Sequence, residues 1–207
     1  MQSAKQRQRC SPIITNMQGR SVYIIMALVC ITAGATAQQT RIYTDPQAGF
    51  KQAKAFFQKE QYSLAYPLFK ELRNDLRSTD RSNNSITYDD VQFYTIACGL
   101  QQNETFAAED AKAFIALNYN PSLTQRLSFH LAEYYFRKND MREALAYYEQ
   151  TSAESLSNRQ VADMKFHQGY AYFTLEQFNK AAPLLEAIAK TSSDPNYKAA
   201  NYYYGLI

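Results

Sequence analysis

The chain has 207 residues, of which 46% are hydrophobic and 14% aromatic, with 17 tyrosines but only six glycines and six prolines. Few chain breakers and many large apolar residues predict a helical protein with a packed core and exclude a disordered chain. Four of the 22 basic residues and none of the 19 acidic ones lie in residues 1–37. The rest therefore carries 18 basic and 19 acidic side chains, a balance that gives no reason to expect nucleic acid or an anionic membrane surface as a partner.

Residues 1–37 have the features of a secretory signal peptide. After Arg20, an apolar run extends from Val22 to Ala33, and small residues occupy Ala35-Thr36-Ala37. A basic start, a run of this length and small residues at positions −3 and −1 predict cleavage after Ala37. The run is shorter than the roughly 20 apolar residues of a membrane span, so we expect no integral span after cleavage. An uncleaved N-terminal anchor is the alternative.

Two further alternatives concern the same segment. Translation could begin at Met17, which would leave a short basic start ahead of the apolar run. Cys30 could carry a lipid, although a valine precedes it where a small residue is wanted. Cleavage after Ala37 would remove Cys10 and Cys30 and leave Cys98 alone, so we expect no intrachain disulfide. Cys98 is expected to face a helix interface and not to act as a nucleophile.

After a polar leader at 38–45, the chain predicts short helices separated by polar turns. Pro46 is well placed to begin a helix that ends near Gln58, and i, i+3, i+4 spacing predicts a second helix from Tyr62. Further helices are expected at about 91–101, 106–117, 122–137 and 141–151, then one ending near 175, one containing Ala181, Leu184, Leu185 and Ile188, and one near the C-terminus. Pro183 is expected in the first turn of its helix, where proline does no harm.

A repeated pattern runs through these predicted helices. Residues 129–148 (FHLAEYYFRKNDMREALAYY) align with residues 166–185 (FHQGYAYFTLEQFNKAAPLL) at a shift of 37 positions. Small residues, here called the anchors, occupy equivalent positions in five copies: Ala53, Ala97, Ala132, Gly169 and Gly205. In the weaker second copy, Leu100 and Phe106 fill the large apolar positions. A small residue allows paired helices to approach closely, so we expect all five anchors at tight helix crossings.

The anchor spacings of 44, 35, 37 and 36 residues and the helical-hairpin pattern resemble the tetratricopeptide repeat (TPR) family, whose period is about 34. The resemblance covers roughly residues 46–207, although tryptophan is absent and the helix-terminating proline occurs only as Pro121 and, displaced, Pro195. It implies an all-α fold, a right-handed α-solenoid. The implied repeats span about 46–79, 90–123, 125–158 and 162–195, with the first helix of a fifth from 198. Further repeats are expected beyond residue 207.

Two columns of the repeat are largely aromatic. The first, three residues before each anchor, contains Phe50, Tyr94, Phe129, Phe166 and Tyr202, and the second, four residues after, contains Phe57, Gln101, Phe136 and Phe173. Positions seven apart share a helix face. By resemblance to TPR proteins, this face would line a concave groove. The implied partner-binding residues are Phe57, Gln101, Gln102, Glu133, Phe136, Arg137, Tyr170 and Phe173, with Lys54 as a further polar contact. Core packing is the alternative for both columns and the favoured interpretation of the first.

The two histidines, His130 and His167, each lie two residues before an anchor. We expect them on neighbouring helices, as hydrogen-bonded residues in a helix seam and not as metal ligands. No glycine-rich phosphate loop, zinc-binding histidine motif or C-x-x-C is present, so no catalysis, cofactor or metal is expected.

The expected function, implied by resemblance to long exported TPR proteins of Gram-negative envelopes, is protein–protein recognition. The chain would be a scaffold in the periplasm or at the outer membrane, with a protein or peptide partner in its groove. One alternative is a lipoprotein-like scaffold for outer-membrane assembly. Another is the repeat region of a larger protein with a catalytic domain beyond residue 207.

Overall fold

The computed structural model describes residues 46–78 and 86–207. Within these ranges the chain folds into nine α-helices and contains no strand, which confirms the all-α prediction. The predicted signal peptide with its alternatives and the polar leader lie outside the described residues.

The helices follow one another along the chain with short connections. They are α1 (Pro46–Gln58), α2 (Tyr62–Ser78), α3 (Tyr88–Gln102), α4 (Ala107–Leu117), α5 (Pro121–Arg137), α6 (Met141–Tyr148), α7 (Asn158–Thr174), α8 (Phe178–Ala189) and α9 (Tyr197–Gly205), with a 3-10 turn at Ala153–Ser155. Each helix packs against the next in sequence, and each odd-numbered helix also contacts the next odd-numbered one. The helix α6 ends three residues earlier than predicted, because the amides of Gln150 and Thr151 bond three residues back, to Tyr147 and Tyr148.

The same turn ends α1, α3, α5 and α7. Each turn contains one residue with a positive φ: Glu60 (59°), Asn103 (56°), Asn139 (61°) and Glu176 (59°). The next amide donates to the carbonyl five residues back, in the pairs Gln61–Phe56 (2.9 Å), Glu104–Gly99 (2.9 Å), Asp140–Tyr135 (2.9 Å) and Gln177–Tyr172 (2.8 Å). This bond is part of the Schellman arrangement that ends many helices. The repeat is therefore visible in the backbone as well as in the sequence.

The burial of the five anchors shows whether helices cross closely at these residues, as the sequence predicts. Ala53, Ala97 and Ala132 are fully buried, and Gly169 is buried on α7. A Cβ added to Gly169 would lie 3.0 Å from Leu185 Cγ and 3.2 Å from Leu184 Cβ, so α7 and α8 touch at this glycine, as predicted. The prediction is wrong for the fifth anchor, because Gly205 is exposed and an added Cβ would meet no atom within 4 Å. No described helix follows α9 to pack there.

Two local predictions are also wrong. Pro183 is the sixth residue of α8 and lies in its interior, not in the first turn, and Pro67 occupies the equivalent sixth position of α2. Both prolines are exposed. Each removes one backbone hydrogen bond, and burial of apolar side chains such as Leu185 on the opposite face maintains the helix.

Phe106 does not fill the core position predicted for the second copy. Its side chain is 70% exposed, and its φ of 67° places it before α4. The turn between α3 and α4 has four residues, 103–106, whereas the equivalent turns at 59–61, 138–140 and 175–177 have three. The extra residue changes the register, so the buried residues of α4 are Ala107, Ala108, Ala111 and Phe114.

Candidate functional site

A groove of about 550 Å³ lies among the odd-numbered helices α1, α3, α5 and α7. Its aromatic wall consists of Phe57 on α1, Tyr62 at the start of α2 and Tyr94 on α3. Its charged and polar lining includes Lys54 from α1, Arg126 and His130 from α5, and Arg159 and Asp163 from α7. Side chains from four odd-numbered helices and from the start of α2 thus converge on one concave surface.

Edge-to-face ring contacts fix the aromatic wall. The Phe57 ring centroid lies 5.4 Å from that of Tyr62, 5.0 Å from Tyr94 and 5.7 Å from His130. Aromatic pairs prefer this arrangement to face-to-face stacking without offset. Phe57 is half-buried, so this candidate residue contributes both to the groove and to the packing of α1 on α3 and α5.

His130 lies in the inner wall of the groove among aromatic rings. It is only 5% exposed, and its Nδ1 is enclosed without a hydrogen-bond partner. Its ring is 5.9 Å from that of Phe93 and 5.5 Å from that of Phe129. Burial, together with the positive charge of Arg126, lowers the pKa of His130 to about 4, so the imidazole is neutral at pH 7. The expectation of a hydrogen-bonded histidine is wrong here, because α5 places the ring against aromatic groups.

His167 has the hydrogen-bonded environment that the sequence predicted. Glu133 Oε1 accepts a bond from the Tyr148 hydroxyl at 2.6 Å and lies 2.8 Å from His167 Nδ1. We call these three residues, from α5, α6 and α7, the Glu133 cluster. A carboxylate only accepts hydrogen bonds, so the contact requires a proton on His167 Nδ1. Burial and the nearby carboxylate raise the pKa of Tyr148 well above its usual value.

The aromatic candidates Phe136, Tyr170 and Phe173 lie on α5 and α7, in a chain of ring contacts that reaches α9. The Phe136 ring stacks on His167 at 4.1 Å with an interplanar angle of 21°. Tyr170 lies 5.9 Å from Phe136 and 4.9 Å from Tyr203, and Phe173 lies 5.2 Å from Tyr203. These half-buried rings form a chain of contacts separate from the Phe57 wall.

The remaining polar candidates lie near the ends of α3 and α5. Gln102 Nε2 donates to the Tyr62 carbonyl at 3.3 Å, and Arg137 Nη2 donates to the Leu100 carbonyl at 2.9 Å. Gln101 is half-buried on α3. The first two side chains therefore already connect neighbouring helices, and the structure brings only Phe57 of the candidate set into the groove, together with Lys54.

Sequence reasoning missed four charged groove residues, Glu60, Arg126, Arg159 and Asp163. Arg126 and Asp163 each lie six positions before an anchor, and thus one helical turn before His130 and His167 on the same face. That shared column is the signal that could have identified them. Arg159 Nε lies 3.8 Å from Asp163 Oδ2, and burial raises the pKa of Asp163.

No protein-family model matches this chain, and a comparison with curated proteins gives no significant match. None of the helices in residues 46–78 and 86–207 combines the length and apolar character needed to cross a membrane. Across the same described ranges, no group of three or more His, Cys, Asp or Glu side chains is arranged to hold a metal ion.

Proposed function

We propose that this protein is a TPR-like, right-handed α-solenoid that binds a protein or peptide partner in the groove between its odd-numbered helices. The groove, lined by side chains of four odd-numbered helices, is the observation that carries the proposal. Stacked helical hairpins align one helix of each pair along an extended concave surface, which solenoid proteins use for binding. The equivalent turns after α1, α3, α5 and α7 support a repeated hairpin unit.

The lining of the groove suits recognition of an extended segment. Tyrosine, other aromatic residues and arginine are enriched at the energetic centres of protein interfaces, and this groove contains Phe57, Tyr62, Tyr94 and Arg126. An aromatic wall provides contact area, whereas charged side chains fix the register and orientation of the partner. The proposed role is therefore that of a binding scaffold without catalysis of its own.

We place this scaffold outside the cytoplasm, in the periplasm or at the outer membrane, on the strength of the signal-peptide pattern in residues 1–37. Mass spectrometry of the protein from its native host tests this part of the proposal. A mature chain that begins at Gln38 is the expected result. A chain that keeps residues 1–37, or one lipidated at Cys30, would contradict cleavage after Ala37.

Site-specific photo-crosslinking tests the binding surface. A photoreactive phenylalanine analogue in place of Lys54 lies in the groove, whereas the same analogue in place of the exposed Lys70 lies on the even-numbered helix α2. We expect a discrete protein adduct from the Lys54 position and none from the Lys70 position. Phe57→Ala should reduce the Lys54 adduct.

Stability measurements separate loss of binding from loss of folding. Truncation of a fully buried aromatic residue costs roughly 3–5 kcal/mol of stability. Phe57 is half-buried, so Phe57→Ala should cost less stability and still reduce the adduct yield from the Lys54 position. Equal adduct yields from Lys54 and Lys70, or an adduct that persists undiminished in folded Phe57→Ala, would exclude the groove as the binding surface. Phe136→Ala and Phe173→Ala determine in the same way whether the second aromatic column binds the partner or only stabilises the fold.

A further inference from the structure

Of the positive side chains that line the groove, some have a carboxylate partner and others do not. Arg159 has Asp163 as a partner. By contrast, neither Lys54 nor Arg126 has a carboxylate oxygen within 4.0 Å among residues 46–78 and 86–207. The other carboxylate of the lining, Glu60, is exposed in the turn after α1. Two cationic groups of the groove are thus available to an anionic partner.

Arg126 is held in position without its hydrogen-bonding capacity being used. Its guanidinium carbon lies 4.5 Å from the ring centroid of Phe93 and 5.8 Å from that of Tyr94. No hydrogen bond links this guanidinium to another described residue. A guanidinium has five N–H donors in a fork that matches a carboxylate. Contact with the aromatic rings restrains the side chain beforehand, which reduces the entropy cost of binding.

His130 adds a second unused polar group beside Arg126. The two residues are four apart on α5, so their side chains are neighbours on one helix face. His130 has no hydrogen bond to a described residue, and its enclosed atom is Nδ1, which leaves Nε2 as the nitrogen that a ligand could reach. Burial and the positive charge of Arg126 lower the pKa of His130, against the opposing effect of Glu133, so this imidazole is neutral at pH 7.

The remaining lining distinguishes an acidic peptide from other anions. Half-buried Phe57 and Tyr62 line the same groove as Lys54 and present apolar surface, which free phosphate would not use. Asp163 and Glu60 belong to the same lining and would repel the continuous negative charge of a nucleic acid. Separate carboxylates alternating with apolar side chains fit this arrangement.

We propose that the groove binds an acidic peptide segment of a partner protein. One carboxylate accepts hydrogen bonds from the guanidinium of Arg126 and from the imidazole of His130, and a second lies at Lys54. An apolar side chain of the segment packs against Phe57 and Tyr62. This inference rests on the proposed function and specifies the chemistry of the partner.

Calorimetric titration of the full chain with three short synthetic peptides tests the inference. The peptides have equal length and the same leucines, with Glu, Gln or Lys between them. We expect the Glu peptide to bind at least about tenfold more tightly than the Gln peptide and to weaken as salt rises. The Lys peptide should not bind measurably.

Two matched double variants test whether the charges that bind the Glu peptide lie in the groove. Lys54→Gln with Arg126→Met removes two groove charges and should weaken binding of the Glu peptide by about tenfold or more. Lys70→Gln with Arg142→Met removes the same charges from exposed positions on α2 and α6 and should leave the affinity within about twofold. Circular dichroism verifies the fold of each variant, and Arg126→Gln replaces Arg126→Met, with Arg142→Gln in the control, if Arg126→Met does not fold.

Each outcome decides the inference separately from the proposed function. If the Gln peptide binds as tightly as the Glu peptide and Phe57→Ala weakens both, the groove is a docking site but its partner is not acidic. If the Glu peptide fails to bind at about 1 mM, or if the two double variants lose affinity equally, the acidic-peptide inference is wrong. The crosslinking experiment then still decides whether the groove docks a partner at all.

Discussion

The buried histidine of the groove gives a quantitative prediction about stability and pH. His130 is 5% exposed, and burial with the charge of Arg126 lowers its pKa from 6.5 to about 4. Between these two values the unfolded chain binds a proton at His130 and the folded chain does not. The folded protein is therefore most stable with respect to His130 above about pH 6.5, where this side chain is neutral in both states. The free energy of unfolding then decreases as the pH falls from 6.5 towards 4.

The magnitude follows from the interval between the two pKa values. One pKa unit corresponds to about 1.4 kcal/mol, so protonation of His130 should cost about 3 kcal/mol of unfolding free energy below pH 4. At about pH 5 the loss should be about 2 kcal/mol relative to neutral pH. A small domain has only about 5–15 kcal/mol of stability, so this loss is large enough to measure.

Urea denaturation at about pH 7.5 and about pH 5 measures the effect in the native protein and in His130→Phe, which keeps an aromatic ring in the pocket. The loss on acidification should be about 2 kcal/mol smaller in the variant, because the carboxyl groups of both proteins titrate alike. NMR signals of the His130 ring should titrate near pH 4. A midpoint near 6.5, or identical pH dependence of the two proteins, would refute the reasoning.

Three further predictions concern packing, turns and the Glu133 cluster, each measured as a free energy of unfolding in urea. Gly169→Leu should cost about 1–3 kcal/mol or more, because an added Cβ already meets a leucine at 3.0 Å, whereas Gly205→Leu should change stability by less than about 0.5 kcal/mol. Similar losses in both would contradict a close crossing at Gly169. Glu176→Gly should add roughly 0.5–1 kcal/mol, because a φ of 59° is strained for glutamate, and Glu71→Gly inside α2 should instead cost up to about 1 kcal/mol. Tyr148→Phe should cost about 1.5–3 kcal/mol, because its hydroxyl donates to a carboxylate at 2.6 Å, and an unchanged stability would mean that this bond contributes nothing.

Local signals in the sequence were sufficient to predict the helices and most of the repeat register. Helical spacing of apolar residues located the helices, and the small residues Ala53, Ala97, Ala132 and Gly169 are buried as expected. These features could be predicted because a helix face and the size of a residue are properties of a short stretch of chain. Gly205 differs, because its burial depends on a further helix.

The repeated turn could be predicted only in part. Asn103 and Asn139 are residue types that commonly adopt a positive φ at a helix end, and both do so here. Glu60 and Glu176 adopt the same conformation although glutamate has no preference for it. At these two turns the packing of the paired helices sets the backbone conformation, so the positive φ could not be predicted from the residue type.

The hydrogen-bond partners of the candidate site residues could not be predicted from their positions in the repeat. The sequence predicted that the polar candidates Glu133, Arg137 and Gln102 lie on odd-numbered helices, but it did not show which groups of neighbouring helices they would contact. In the structure all three have hydrogen-bond partners within the chain. The sequence did not identify Arg126 as a candidate, because its role depends on the positions of Phe93 and His130 around it in the fold.

The two histidines show how equivalent positions can acquire different roles. His167 lies against Glu133 and Tyr148, and the acidic residue one turn before it is Asp163. His130 has no hydrogen-bond partner among the described residues, and the residue one turn before it is Arg126, of opposite charge. A seam whose polar groups are satisfied internally gains little from a partner, whereas unpaired donors gain hydrogen bonds when an acceptor arrives. We therefore expect the proposed acidic segment at the groove beside His130 rather than at the Glu133 cluster.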